Sequence, residues 1–214
     1  NQISLTDPVD MERSSVVHLT FDGGGMRVIY HLGVLQFIQE HFELCDGVTF
    51  HGVSAGAAVS AVAALGIDVR VVMEAYRHCW FLCRLPFTML YTVECMTRAL
   101  LKLQPNHCEK LCNGRVFVYL AALQRCGLRR FHVNTFYSRN ELANSIMASC
   151  HLPILGGVRP RFVNGTACYD GGTLLNGTVR RLLRSCTQFP LCVRSAHVPD
   201  AGHWGRRDGH QRLV

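Results

Sequence analysis

GVTFHGVSAGAAVSAVAAL, residues 47–65, is the stretch that decides the fold. Gly47 to His51 has the β-branched and aromatic content of a short strand, and Ala57 to Leu65 is an Ala- and Val-rich run suited to a buried helix. Only Gly52-Val53-Ser54-Ala55-Gly56 stands between them, so the chain must turn sharply there. The same order occurs one unit earlier. Ser15 to Phe21 (SVVHLTF) reads as a buried strand that runs straight into Asp22-Gly23-Gly24-Gly25. From Val28 to Phe42 the residues Ile29, Leu32, Leu35, Phe37, Ile38 and Phe42 then recur at helical spacing. Strand, glycine turn and helix, twice over, predict an α/β sandwich with a mostly parallel central sheet.

Farther along, Ile67 to Leu103 reads as two or three helices, with an aromatic and aliphatic stretch, WFLCRLPFTMLY, broken by Pro86. That stretch suits either a core helix or a surface that meets lipid. Arg115 to Ala121 and Phe131 to Tyr137 have strand composition and are expected to be neighbours, with Cys126-Gly127 in their connection. Ser138-Arg139-Asn140-Glu141 is a capping box opening a helix with Leu142, Ile146 and Met147, which His151-Leu152-Pro153 ends. Asn164-Gly165 is a turn dipeptide between hairpin arms Arg159 to Val163 and Thr166 to Tyr169, leading to Asp170-Gly171-Gly172. Beyond Asn176 periodicity fades. The expected organisation is an extension over 1–14, one domain over 15–176, and a basic tail of little order over 177–214.

At 214 residues and 49% hydrophobic, the chain can bury one sizeable core, and a charged fraction of 17% argues against wholesale disorder. Eleven cysteines, an odd number scattered through apolar segments, suit reduced thiols in a cytoplasmic setting better than a disulfide framework. His107, Cys108 and Cys112 lie close in sequence, but no CxxC pair occurs, and no metal is expected. The first residues carry neither a basic leader nor an apolar core, so no signal peptide is expected. Arg84, Pro86, Glu94 and Arg98 interrupt the apolar region from Cys79 to Leu103, so no transmembrane helix is expected either. The net charge of +7 is concentrated in the tail, where seven arginines against two aspartates over 177–214 leave +5. Without interleaved aromatics that tail reads as a solvated extension, and nucleic acid is not expected as a partner. Asn164-Gly165-Thr166 and Asn176-Gly177-Thr178 match glycosylation sequons but read as turns.

The serine of GVSAG would be lifted clear of the sheet by the strand-to-helix turn, with Gly52 and Gly56 leaving room for close neighbours. The helix N-terminus behind it adds partial positive charge. A nucleophilic serine needs a base. The α/β-hydrolase pattern would supply a histidine, and His197, His203 and His210 in the tail are the ones available, since His31 and His51 read as packed residues. The best placed acid is Asp170, whose neighbours Gly171 and Gly172 let the backbone bend, although Asp-Gly-Gly by itself is also an ordinary turn. Gly23, Gly24 and Gly25 would aim backbone N–H groups at one oxyanion, with Arg27 beside them to steady the loop or meet an anionic head group. A dinucleotide fingerprint fails, because Gly23 and Gly25 would require glycine where Val28 stands.

GGGMRVIYHLGVL, GVSAG and the late DGG, in that order, resemble the patatin-like phospholipase family over about Val17 to Asn176. YHLGVLQFIQEHF and the region from Gly114 to Asn176 are similar to its adipose triglyceride lipase and adiponutrin branch. The resemblance implies a three-layer α/β/α sandwich and a Ser-Asp dyad with no catalytic histidine. By motif position, Ser54 is the nucleophile, Asp170 the base and Gly23, Gly24 and Gly25 the oxyanion loop, with Arg27, Gly52, Gly56, Gly171 and Gly172 in support. It further implies a lipid acyl hydrolase of the triacylglycerol lipase or phospholipase type, working through an acyl-enzyme without metal or organic cofactor. Its substrate would be glycerolipid at a membrane or lipid-droplet surface, reached from the cytoplasm. The alternative is a lipid-surface binding protein that keeps the fold with weak catalysis, since Val28 stands where many members have glycine.

Overall fold

The structure, a computed structural model, describes residues 17–44, 47–82, 105–125, 127–153 and 158–174, together with 97, 99–100, 102–103, 191–195, 206–207 and 210–213. Strands β1 (Val17–Phe21) and β3 (Val48–Val53) each lead into a helix, α1 (Val28–His41) and α2 (Ala55–Ala64), with the short β2 (Phe42–Leu44) between the two units. Then come α3 (Val69–Leu82), α4 (Cys108–Cys112), the hairpin of β4 (Val116–Gln124) and β5 (Gly127–Val133), and α5 (Arg139–Ser149). The hairpin of β6 (Arg161–Val163) and β7 (Thr166–Asp170) follows, and then β8 (Leu191–Ser195), β9 (Arg206–Arg207) and β10 (His210–Leu213).

The main sheet runs β6-β7-β4-β3-β1-β8, with β5 also on β4, while β2, β10 and β9 form a small second sheet. Parallel pairing joins β1, β3 and β4 at the centre, and the flanking strands are antiparallel. Together with the helices this makes the expected α/β sandwich. Alternation along the strands sorts the residues by face. Val17, Leu19, Phe21, Val48, Phe50, Val116, Val118 and Leu120 are buried in the core shared with the helices. His18, Thr49, His51, Phe117 and Tyr119 point the other way and are half-buried. Helix α2 lies on β1, β3 and β4 and touches α1, α4 and α5, and its small residues let it approach the strands closely.

One feature of the register positions the site. β5 runs along one edge of β4, from Val118 to Gln124. The other edge is shared in turn: β3 pairs with it as far as Val53 opposite Tyr119, and β7 pairs from Asp170 opposite Leu120. Because β3 is parallel to β4 and β7 antiparallel, the two strands meet end to end.

Three expectations change. The strand expected over 131–137 is β5, four residues earlier. Gln124 pairs with Gly127 across a two-residue turn, with Gly127 at φ +116, so pairing starts at once. Leu128-Arg129-Arg130 is tolerated because β5 is an edge strand. Asn113 takes the following loop instead, accepting the Phe136 N–H at 2.6 Å and donating to its carbonyl at 3.2 Å. Second, β8 pairs with β1 from Val17 opposite Ser195 to Phe21 opposite Leu191, so the sheet extends past the boundary expected at 176. Third, His210 to Leu213 pairs with β2 and β9, so that part of the tail also has regular structure.

Local signals held elsewhere. Ser138 Oγ accepts the Glu141 N–H at 3.2 Å, and the Glu141 carboxylate accepts the Tyr137 N–H at 2.7 Å. Asn164 and Gly165, at φ 49 and 73, make the tight turn of the second hairpin. Among the described residues no helix is long and apolar enough to cross a membrane.

Candidate active site

Ser54 is the turn residue between β3 and α2, at φ 55 and ψ −128. Few L-residues adopt this conformation, which costs about 1–3 kcal/mol and persists only where the surroundings fix it. Here they do. A Cβ at Gly52 would overlap the Gly56 carbonyl, and a Cβ at Gly56 would overlap the Phe21 carbonyl, so β1, β3 and α2 pack backbone to backbone around the turn. Ser54 is left 8% exposed.

Asp170 closes β7 and is 1% exposed. Its N–H donates to the His151 carbonyl at 2.9 Å, and its Oδ1 accepts the Gly172 N–H at 2.6 Å. Burial pushes the Asp170 carboxyl up to about 6; the nearby Ser54 side chain and the Gly172 N–H oppose the shift, and the negative charge of Asp22 adds to it. Gly171 is fixed by contact, since a Cβ there would lie 2.5 Å from the Tyr119 carbonyl oxygen and 2.7 Å from Val53 Cγ2. Residues more than a hundred positions apart are thus joined by the shared edge of β4.

The glycine loop borders the same space. A Cβ at Gly23 would lie 3.3 Å from Ser54 Cβ. Gly25, at φ 53, opens a single turn of 3-10 helix closed by the Arg27 N–H on the Gly24 carbonyl at 2.9 Å. The Gly23 N–H donates to Asp22 Oδ1 at 2.6 Å. Arg27 is exposed at the end of that turn. His31 is buried behind the loop; burial lowers its pKa, opposed by the charge and backbone of Asp22.

His51 faces the other side of the sheet. Its ring nitrogens lie 3.0 Å from Thr49 Oγ1 and 3.0 Å from the Tyr119 hydroxyl, and it stacks on Phe117. Burial, then His18 and His132, pushes it down to about 4. It is a packed residue. His197 and His203 lie outside the described residues, as does the side chain of His210. Cys108 and Cys112 are buried thiols outside any disulfide, both pushed up by burial, Cys112 to about 12, and no metal-holding cluster occurs among the described residues.

Two residues at the end of α5 were not singled out from the sequence. Ser149 Oγ accepts the Ser54 N–H at 2.8 Å and donates to the Tyr119 carbonyl at 2.7 Å. Cys150 borders both Ser54 and Asp170, and burial raises its pKa. No motif marks either of them, because what they meet is the backbone and side chain of distant residues.

A strained turn serine, a buried carboxyl and a glycine loop thus stand together at the end of parallel strands. Residues 19–183 match the model of the patatin-like phospholipase family, and the chain belongs to that family and has its α/β sandwich fold. It is 25% identical over 197 residues to patatin-like phospholipase domain-containing protein 2 of Mus musculus, covering 87% of this chain and 40% of that protein. It is 27% identical over 180 residues to the Mus musculus 1-acylglycerol-3-phosphate O-acyltransferase Pnpla3, covering 81% and 43%. With the Homo sapiens omega-hydroxyceramide transacylase the identity is 25% over 161 residues, covering 72% and 30%. The chain therefore spans less than half the length of these relatives.

Proposed function

We propose that the chain hydrolyses carboxylic esters of glycerolipids, with Ser54 as nucleophile and Asp170 as its base. The observation that supports this reading is that the strained turn at Ser54 and the buried Asp170 lie where β3 and β7 meet end to end along β4, beside a glycine loop. Ser54 Oγ attacks the acyl carbonyl while its proton passes to Asp170. The carbonyl oxygen becomes an oxyanion facing the Gly24 and Gly25 N–H groups, and the N-terminus of α2 adds favourable charge. Collapse of this intermediate breaks the ester bond, and Asp170 returns the proton to the departing alkoxide. Water, deprotonated by the same aspartate, then attacks the acyl-enzyme, and collapse of the second intermediate returns the proton from Asp170 to Ser54 Oγ and releases the fatty acid. Every step uses side chains and backbone of this chain.

The surroundings suit a lipid. Ile29 and Tyr30 are exposed just past the loop, beside Arg27, and would meet a membrane or lipid-droplet surface. Val28, Leu32, Ala58, Val62 and Tyr76 line a small apolar crevice between α1, α2 and α3, with room for little more than a water molecule. The names of two relatives describe acyl transfer, which is the same acyl-enzyme giving its acyl group to a lipid hydroxyl instead of water. Triacylglycerol, phospholipid and lysolipid acceptor are separated by product analysis.

The test is a fluorophosphonate probe on the protein. Wild type is expected to be labelled and to release fatty acid from glycerolipid emulsions, and Ser54→Ala to do neither. Liposome binding by a wild-type protein that resists the probe would instead favour a lipid-binding role without turnover.

A further inference from the structure

We propose that Ser149 is a positioning residue for the nucleophile: its hydroxyl fixes the backbone of Ser54 and so the angle at which that side chain meets Asp170. The assignment rests on the hydrolase reading above. At the elbow, the ladder of β3 against β4 ends with Val53 opposite Tyr119, and the first N–H groups of α2 have no partner within their own helix. The Ser54 N–H belongs to neither ladder nor helix, and Ser149 Oγ is its acceptor at 2.8 Å. The Tyr119 carbonyl stands at the point on β4 where β3 gives way to β7, and Ser149 is its donor at 2.7 Å.

The direction of both bonds is fixed, because an amide N–H only donates and a carbonyl only accepts. One hydroxyl, 0% exposed, therefore ties the strained turn to the strand that registers both catalytic ends. Two residues later the His151 carbonyl receives the Asp170 N–H at 2.9 Å. The end of α5 thus holds nucleophile and base at once, and Ser149 is its link to the nucleophile.

Ser145 provides the control. It lies one turn earlier on α5, is equally buried, and donates at 2.8 Å to the Glu141 carbonyl of its own helix. Removing its hydroxyl deletes a buried bond without touching the elbow. Fluorophosphonate labelling rates, turnover of a soluble p-nitrophenyl ester, and Tm would be measured for wild type, Ser149→Ala and Ser145→Ala. For Ser149→Ala, kcat and labelling rate are expected to fall about 10- to 100-fold with KM within about twofold, as for a misplaced catalytic group. Ser145→Ala is expected to keep the wild-type rate.

A Ser149→Ala protein that labels as fast as Ser145→Ala overturns the assignment and leaves the hydrolase reading intact. A wild-type protein that is not labelled overturns both. If Ser149→Ala does not fold, Ser149→Cys, close in size and only a weak donor and acceptor, takes its place. An intermediate rate then supports the assignment, and a wild-type rate overturns it.

Discussion

The elbow around Ser54 and the glycine loop at 23–25 border the same space, yet they are held in different ways. At Gly52 and Gly56 neighbouring backbone leaves no room for a Cβ, whereas a Cβ at Gly25 would meet nothing within 4 Å and glycine is needed there only for φ 53. The elbow is fixed by contact, and the loop by dihedral preference and a few hydrogen bonds. A nucleophile must already stand in place when substrate arrives, while an oxyanion forms only during reaction. Rigid contact suits the first, and N–H groups already set by the loop's own turn suit the second.

The largest expected effect tests the rigid side. Gly56→Ala places a methyl group on the Phe21 carbonyl and is expected to cost at least about 3 kcal/mol or to abolish folding, read as the urea midpoint. A midpoint like that of wild type would break the contrast. Next comes Asp170, the proposed base, whose burial disfavours its charged form. Burial raises Asp170 from 3.8 to about 6, so between those pH values the folded chain keeps a proton that the unfolded chain has lost. Stability from this group is therefore present below pH 3.8 and lost as pH rises through about 6. Asp170→Asn, which cannot ionise, is expected to be more stable than wild type at pH 8 by up to about 3 kcal/mol, with the difference vanishing toward pH 4. Thermal melts at the two pH values check the sign.

The smallest effect tests the loop. Gly25→Ala keeps open space around the new methyl group but imposes a left-handed dihedral on alanine, expected to cost about 1 kcal/mol of stability. Its kcat is expected to fall more than its stability, because the donor angle changes. Equal losses from Gly25→Ala and Gly56→Ala would show that the two regions are held alike.

Much of this organisation is legible in the sequence because glycine and periodicity are local signals. SVVHLTF followed by DGGG, and GVTFH followed by GVSAG, announce two strand-turn-helix units without knowledge of the rest of the chain. The capping box at Ser138 and the Asn164-Gly165 turn were read for the same reason. What escaped depends on partners far away. β5 begins at Gly127 because a two-residue turn and an exposed edge accommodate Arg129 and Arg130, which composition alone counts against a strand. The pairing of Leu191–Ser195 with β1 answers an open sheet edge, and nothing in LCVRS states that need. Ser149 serves two backbone groups, those of Ser54 and Tyr119, and a backbone group leaves no letter in the sequence. The bond from the Gly23 N–H to the neighbouring Asp22 carboxylate is likewise unmarked by any motif.

The pairing of Ser54 with Asp170 is tested most directly by the pH dependence of fluorophosphonate labelling in wild type and Asp170→Asn. The wild-type rate is expected to rise along an acid limb centred near pH 6 and then level, since a base at about 6 must lose its proton to work. In Asp170→Asn that limb is expected to vanish, with the rate lower by about 10²- to 10⁴-fold at pH 8. Labelling of Asp170→Asn at the wild-type rate with the limb unchanged would contradict the dyad and return the role of base to a histidine.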